Sequence, residues 1–326
     1  MWRPASNVGS SGMGLQEMRG CSKRTFILLD YLRRKATVPP DKVNATEHEI
    51  PQVVLADGTR LPALGLGTWK MGERAEDAAR EVAALERGLD LGMTLIDTAE
   101  MYGDGGAEEV VARAIAGRRR KAFVVSKVYP QNAGAKSMID ACERSLRRLG
   151  IDCLDLYLLH WRGRIALAES VDAFERLRAA GKIARWGVSN FDTSDMEELH
   201  ALPDGMHCAA NQVLYNLSRR GIEWRLLEWC RARRIAVMAY SPVAQGALLG
   251  NRKLTAIAAK LRVTPAQLAL AWVLTRAQVI AIPQSSNVTH IDGNRAAVAV
   301  DLDDRVLALL DAAFPPPRRE TPLAVI

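Results

Sequence analysis

No stretch of this chain approaches the roughly 20 consecutive apolar residues of a membrane-spanning helix, no C-x-x-C pair occurs, and the five histidines show neither H-x-x-x-H nor H-E-x-x-H spacing. The first absence argues against a helical membrane protein, and the third leaves no metal site in view. The five cysteines (Cys21, Cys142, Cys153, Cys208, Cys230) are odd in number. Four of them fall in segments that read as helix or strand, which suits reduced thiols in a cytoplasmic compartment. Also missing is a complete G-x-G-x-x-G, because Gly65-x-Gly67 is followed by Lys70 where the third glycine belongs. The dinucleotide fingerprint of an open, doubly wound sheet is therefore absent.

What is present is ordinary for a soluble globular chain: 326 residues, 48 % hydrophobic and 25 % charged. A net charge of +7 invites a nucleic-acid partner, but its distribution argues against one. Residues 1–46 hold eight basic side chains (Arg3, Arg19, Lys23, Arg24, Arg33, Arg34, Lys35, Lys42) against Glu17, Asp30 and Asp41, so most of the surplus sits there and the body is nearly neutral. That leader mixes Gly, Ser, Pro and basic residues around a short apolar patch, 26–32, interrupted by Asp30 and followed by basic rather than small residues, so it does not read as a secretory signal. Two readings stay open for 1–48: a disordered extension (or upstream start), which is preferred, and an organelle transit peptide. The single domain is expected over 49–326.

From there the pattern is regular. Residues 53–62 read as a β-hairpin, with Asp57-Gly58 supplying the positive φ angles of its turn. Strands are expected at 64–69, 93–98, 122–128, 153–160, 185–190, 209–215, 236–241 and 279–285. Helical segments are expected at 75–91, 107–116, 135–149, 166–180 (stopped by Gly181), 194–202, 222–234 and 255–276, with a final helical stretch after the last strand. Strands such as Leu154-Asp155-Leu156-Tyr157-Leu158-Leu159 are continuous apolar runs, as when both faces are covered. About eight strand–helix units in about 250 residues favour an α/β fold of the closed (β/α)8 TIM-barrel type, the hairpin capping its bottom. The rival is the open doubly wound sheet.

Polar residues collect at the strand ends: Asp97, Lys127, His160, Ser189-Asn190, then Gln212, Tyr240 and Ser285. In a barrel these C-terminal ends share one face, where such folds place their chemistry. A carboxylate closing a buried strand is costly unless a cation meets it, and Lys127 is the cation at hand for Asp97. Tyr102 follows Asp97 by five residues in a loop holding Gly103, Gly105 and Gly106. A tyrosine near pKa 10 is a poor acid, and an ammonium beside it would lower that value. Tyr102 then becomes a proton donor to a carbonyl under reduction, with His160 positioning the carbonyl oxygen. Hydride comes from no side chain, so a nicotinamide cofactor is implied.

At this point the chain resembles the aldo-keto reductases, (β/α)8 NADPH-dependent carbonyl reductases. The likeness runs from about Ile50 to the C-terminus. It rests on Gly65-Leu66-Gly67-Thr68-Trp69, Asp97-Thr98-Ala99-x-x-Tyr102, Lys127, Leu159-His160-Trp161, Gly187-Val188-Ser189-Asn190-Phe191, Asn211-Gln212, Ala239-Tyr240-Ser241-Pro242 and Ile282-Pro283. The resemblance implies a catalytic tetrad of Asp97, Tyr102, Lys127 and His160. It implies that Ser189, Asn190 and Gln212 grip the nicotinamide carboxamide, that Tyr240 stacks on its ring, and that Thr68, Ser241, Pro242, Gln284, Ser285, His290 and Asn294 complete the cofactor site. Trp69 and Trp161 would wall the substrate pocket. The expected partner is a small-molecule carbonyl, and the expected state a monomer acting without nucleic acid or membrane.

Departures from the family pattern bear on specificity. Where the family's phosphate loop carries lysine and, six residues on, arginine, this chain has Gln284 and His290. Neutral donors recognise a 2′-phosphate less strongly than charged ones, so NADP(H) is expected with relaxed preference and possible NAD(H) use. Short substrate loops, with 243–253 following Pro242 and a brief tail after Phe314, point to small carbonyls such as 2-oxoaldehydes (methylglyoxal), short or aromatic aldehydes and sugar aldehydes. Arg162 and Arg164 are either a basic rim that favours hydrophilic substrates or solvated loop charges. Two rival functions are weighed: a cofactor-sensing regulatory subunit on the same barrel, and a Schiff-base lyase or isomerase, against which Asp97 keeps Lys127 charged.

Overall fold

The computed structural model describes residues 48–326. The expected extension over 1–48 thus lies, His48 excepted, outside the described residues, as does Cys21. The hairpin forms as anticipated. β1 (Gln52–Val54) and β2 (Arg60–Pro62) pair antiparallel with Val53 opposite Leu61, and Gly58 takes φ 86° in the turn. Its inward side chains Val53, Leu55 and Leu61 pack in one cluster with Leu95, Leu156, Ala210 and Ala236, which begin four barrel strands. The hairpin therefore plugs the N-terminal end of the barrel and leaves the other end free.

Eight parallel strands follow in sequential order: β3 (Leu66–Gly67), β4 (Leu95–Asp97), β5 (Phe123–Val128), β6 (Leu156–Leu159), β7 (Trp186–Ser189), β8 (Ala210–Leu214), β9 (Ala236–Tyr240) and β10 (Val279–Ala281). Closure comes from the backbone around β3 and β10. Gly65 N donates to Ala281 O (2.8 Å), Ala281 N to Ala63 O (2.8 Å) and Gly67 N to Pro283 O (3.0 Å). Gly67 is needed there, because a Cβ would meet Ile282 O at 2.9 Å. The outer ring comprises α1 (Ala78–Asp90), α2 (Gly106–Ala114), α3 (Ser137–Leu149), α4 (Leu167–Ala179), α5 (Thr193–Ala201), α6 (Leu226–Ala232), α7 (Arg252–Leu261), α8 (Pro265–Leu274), α9 (Val288–Ala296) and α10 (Asp304–Ala313).

Side-chain alternation along the strands separates two cores. Leu95, Val125, Leu156, Leu158, Ala210, Met238 and Ile280 fill the barrel interior. Their neighbours Ile96, Val124, Tyr157, Leu159, Val213, Val237 and Ala239 face the helices. Continuing the inward parity one step beyond the apolar layers arrives at Asp97, Lys127, His160, Gln212 and Tyr240. The residues expected to form the site are thus the top layer of the barrel filling.

The helical region expected over 255–276 is two helices, bent by 86°. Arg262 takes φ 57° and ends α7. Thr264 then caps α8 by accepting from Gln267 N (3.1 Å), while the Gln267 side chain accepts from Thr264 N (2.9 Å), with Pro265 in the first turn. Among the described residues, no single helix is long and apolar enough to cross a membrane.

Two glycines calibrate how tightly the loop beneath Tyr102 is held. Gly58 and Gly72 both have positive φ, but a Cβ on Gly58 meets nothing, whereas one on Gly72 comes within 2.1 Å of the Gly106 backbone. Gly58→Ala should cost about 1 kcal/mol of backbone strain, and Gly72→Ala about 2 kcal/mol more through overpacking against backbone. Denaturant unfolding measures both; equal losses would contradict this account of Gly72.

Candidate active site

Asp97 ends β4 and Lys127 lies one residue short of the end of β5. Both point inward, where their side chains are 3 % and 0 % exposed and the Lys127 Nζ–Asp97 Oδ2 distance is 2.8 Å. Lys127 Nζ also donates to Thr98 O (2.8 Å) and to the Tyr102 hydroxyl (3.1 Å). Three acceptors use all three protons of an ammonium, which places the charge on Lys127. Asp97 Oδ1 accepts from Gln212 Nε2 (2.8 Å), so both carboxylate oxygens are satisfied. Burial pulls the Lys127 pKa down, but the Asp97 carboxylate and the hydrogen bonds to Asp97 and Tyr102 outweigh it and hold it above the ordinary value. Burial pushes the Asp97 carboxyl up against the pull of Lys127 and Gln212. For this coupled pair the full set of ammonium donors favours the ionised form.

Lys127 pulls the Tyr102 pKa down, as expected, but the net direction is upward. Burial raises it, Asp97 adds to the rise, and Lys127 only partly opposes them. The phenol is therefore protonated at neutral pH. Since its oxygen accepts from Lys127, its own proton is free for a ligand. The Tyr102 ring meets His160 edge-on, centroids 5.8 Å apart. Burial, with Lys127 nearby, drives the His160 pKa down to about 2, so the imidazole is neutral. Its buried Nδ1 has no partner, an unmet polar atom beside the phenol.

The residues expected to hold a nicotinamide join the same network. Asn190 Nδ2 donates to His160 O (3.2 Å) and Ser189 Oγ (3.1 Å), Ser189 Oγ donates to Gln212 O (2.9 Å), and the Tyr240 hydroxyl donates to Asn190 Oδ1 (2.9 Å). Thr68 Oγ1 donates to Asp97 O (3.0 Å). Tyr240, half-buried, is thus fixed by its hydroxyl with the ring at the barrel mouth. Ser241, at φ 49°, accepts through its carbonyl from Asn216 Nδ2 (2.9 Å), and Pro242 is buried behind it. A second group gathers at the start of α9. Gln284 and His290 are exposed, Ser285 Oγ lies 3.3 Å from His290 Nδ1, and Asn294 is buried one helical turn on. The Gly67–Gln284 bridge ties this group to the mouth. Amide, hydroxyl and ring surfaces at one end and hydroxyls at a helix N-terminus at the other fit an extended dinucleotide.

Trp69 and Trp161 are 39 % and 36 % exposed, too open for core packing and right for a pocket wall. Arg162 is placed otherwise than a basic rim requires. Its guanidinium is held by Glu198 (2.6 and 2.7 Å) and Asp195 (2.9 Å), so it anchors the β6 loop to α5. The C-terminal segment reaches further than its length led us to expect. Glu320 approaches Arg225 (3.8 Å), and burial pushes the Tyr240 hydroxyl up to about 12. Sequence reading missed Tyr129, whose ring meets Trp161 edge-on at 6.0 Å. An aromatic two residues past Lys127 was the available signal.

The family model described as the aldo/keto reductase family matches residues 63–314. The chain belongs to the aldo/keto reductase family. It is 54 % identical over 271 residues to methylglyoxal reductase YeaE of Escherichia coli, covering 82 % of this chain and 95 % of the relative. Identity to glyoxal reductase of Bacillus subtilis is 34 % over 261 residues, covering 80 % and 91 %. Among solved structures, an aldo/keto reductase from Klebsiella pneumoniae in complex with NADP and acetate superposes with a TM-score of 0.83 at 51 % identity, covering 84 % of this chain and 99 % of that one. The protein is accordingly an oxidoreductase acting on carbonyl and alcohol groups, on the (β/α)8 fold expected of it.

The depressed His160 pKa has a consequence for stability. The unfolded imidazole takes up a proton near pH 6.5, while the folded one stays neutral to about 2. Stability is then present above pH 6.5 and is lost as pH falls below it, by about 1.4 kcal/mol per pH unit. His160→Gln should flatten the pH dependence of the unfolding free energy between pH 6.5 and 4 by about that slope. Parallel curves would show that His160 is charged in the folded protein.

Proposed function

We propose that the protein reduces small aldehydes and ketones, 2-oxoaldehydes such as methylglyoxal foremost, to alcohols with NADP(H) and a proton from Tyr102. The carrying observation is the Lys127 ammonium, which donates to Asp97, Thr98 O and Tyr102 at once. That arrangement frees the phenol proton and awaits the phenolate that its loss creates. The substrate class follows the methylglyoxal reductase and glyoxal reductase relatives. NADP(H), with which the Klebsiella pneumoniae structures are in complex, would when bound supply the hydride for the carbonyl carbon.

The protein's own groups do the rest. Neutral His160 offers a ring nitrogen to orient the carbonyl oxygen toward Tyr102, and it cannot compete as acid. Tyr102 gives its proton to that oxygen. The phenolate left behind is stabilised by Lys127, whose own charge is held by Asp97, so no charge is created without a partner at hand. Ser189, Asn190 and Gln212 present amide and hydroxyl groups to the nicotinamide carboxamide, Tyr240 a ring face, and Thr68, Ser241 and Pro242 the adjoining backbone wall. Trp69 and Trp161 exclude water from the carbonyl. A regulatory subunit would have no use for a protonated phenol poised on an ammonium, and the reductase names of both relatives favour turnover.

At the far end Gln284, Ser285, His290 and Asn294 hold the adenosine half, and the preference for NADPH over NADH is relaxed because Gln284 is neutral. The four free thiols among the described residues favour a reducing, cytoplasmic setting, and a monomer acting on a diffusible carbonyl is the state we favour.

Two measurements test this reading. Tyr102→Phe should cut turnover of methylglyoxal by about 100-fold or more while cofactor binding stays within about threefold; loss of both would mean Tyr102 is not the donor. Gln284→Lys with His290→Arg should raise the NADPH/NADH ratio of kcat/KM about tenfold, as charge-assisted bonds replace neutral ones. An unchanged ratio contradicts the assignment of these two positions.

A further inference from the structure

One buried carboxylate beside Tyr102 takes no part in the chemistry above. Glu100 is 8 % exposed. Its Oε1 accepts from Tyr129 N (2.8 Å) and Asn132 Nδ2 (3.1 Å), and its Oε2 lies 3.7 Å from the Arg144 guanidinium. Its own N–H reaches Lys127 O (3.4 Å). Burying a carboxylate is unfavourable unless charge and hydrogen bonds answer it, so the question is what this one holds in place. It ties the loop that carries Tyr102 to the loop that follows β5, where Pro130–Asn132 makes a single turn.

That second loop carries the half-buried Tyr129. Its ring stands at 89° to Trp161 with centroids 6.0 Å apart, Trp161 tilts over His160 at 4.9 Å, and His160 meets Tyr102 at 5.8 Å. Four rings thus run without a break from the proton donor outward, and the outer two keep open surface. Edge-to-face contacts fix orientation as well as distance, so a shift of the Tyr129 backbone is passed to Trp161.

We propose that Glu100 is a positioning residue for substrate. By pinning the Tyr129 backbone and the Asn132 side chain, it sets the Tyr129–Trp161 wall that receives a flat apolar substituent on the carbonyl substrate. The proposal rests on the reductase reading. It assigns the wall to aryl-substituted carbonyls, while a methyl-sized substituent reaches too little of the wall to depend on it.

The test is steady-state kinetics of the full chain at saturating NADPH with methylglyoxal and benzaldehyde. Glu100→Ala removes both acceptor bonds, whereas Glu100→Gln keeps a carbonyl oxygen where Oε1 stands. The expected result is a KM for benzaldehyde raised about tenfold in Glu100→Ala, with its kcat and the NADPH dissociation constant held within about twofold. Loss of uniform substrate binding gives that split. The methylglyoxal KM should move less than about threefold, and Glu100→Gln should restore the benzaldehyde KM. Combined with Tyr129→Ala, Glu100→Ala should add nothing further for benzaldehyde, since both act through one ring. Equal losses on both aldehydes, additive losses, a fall in kcat or an unaltered KM would each overturn the proposal. Should Glu100→Ala fail to fold, Asn132→Ala removes a donor to the same carboxylate. It should raise the benzaldehyde KM about threefold with the same selectivity, and an unselective effect or none overturns the proposal equally. Absence of wild-type turnover with either aldehyde would instead sink the reductase reading.

Discussion

The ion pair between Asp97 and Lys127 is the constraint on which the site depends. Two charged side chains that are themselves at most 3 % exposed would each cost several kcal/mol if left alone. They are not left alone. Gln212 answers the second carboxylate oxygen, and Thr98 O and the Tyr102 hydroxyl answer the remaining ammonium protons. The position of the phenol is therefore a by-product of satisfying a buried lysine. Replacing the pair by apolar residues would leave Gln212 Nε2 and Thr98 O without these partners and Tyr102 with no charge to lean on.

The rest of the barrel serves to make that layer possible. The hairpin closes one end with Val53, Leu55 and Leu61, and Leu95, Val125, Leu158 and Met238 fill the middle, so water reaches the charged layer only from the loops. Those loops are pinned by close backbone contact. Gly72 against Gly106 and Gly67 against Ile282 O leave no room for a side chain. Rigid loops above a dry floor are what the proposed proton transfer from Tyr102 needs, since preorganised donors stabilise a developing charge without reorganisation.

Much of this was legible in the amino-acid order. Continuous apolar strands and their regular alternation with helices gave the barrel, and polar residues at successive strand ends gave the convergence of Asp97, Lys127, His160 and Gln212. What stayed hidden depends on distance in space. Arg162 stayed open between a rim charge and a solvated one because nothing in the order of residues puts α5, with Asp195 and Glu198, beside it. The break between α7 and α8 was written in Thr264-Pro265-x-Gln267, but a long apolar stretch hid it. The direction of the Tyr102 pKa could not be read from a nearby lysine, since burial of the whole layer outweighs that one charge. Glu100 was invisible because it matters only through its neighbours Tyr129 and Asn132.

The central claim is that Asp97 keeps Lys127 charged for the sake of Tyr102. Its most direct test is the pH profile of kcat for methylglyoxal reduction in Asp97→Asn, a near-isosteric change that removes the countercharge and one of the two acceptor oxygens. A buried lysine without a counterion has its pKa pulled several units down. The account predicts a wild-type profile that is flat through neutrality and a variant profile that falls as pH rises across the same range, as Lys127 loses its proton. Superimposable profiles would contradict it.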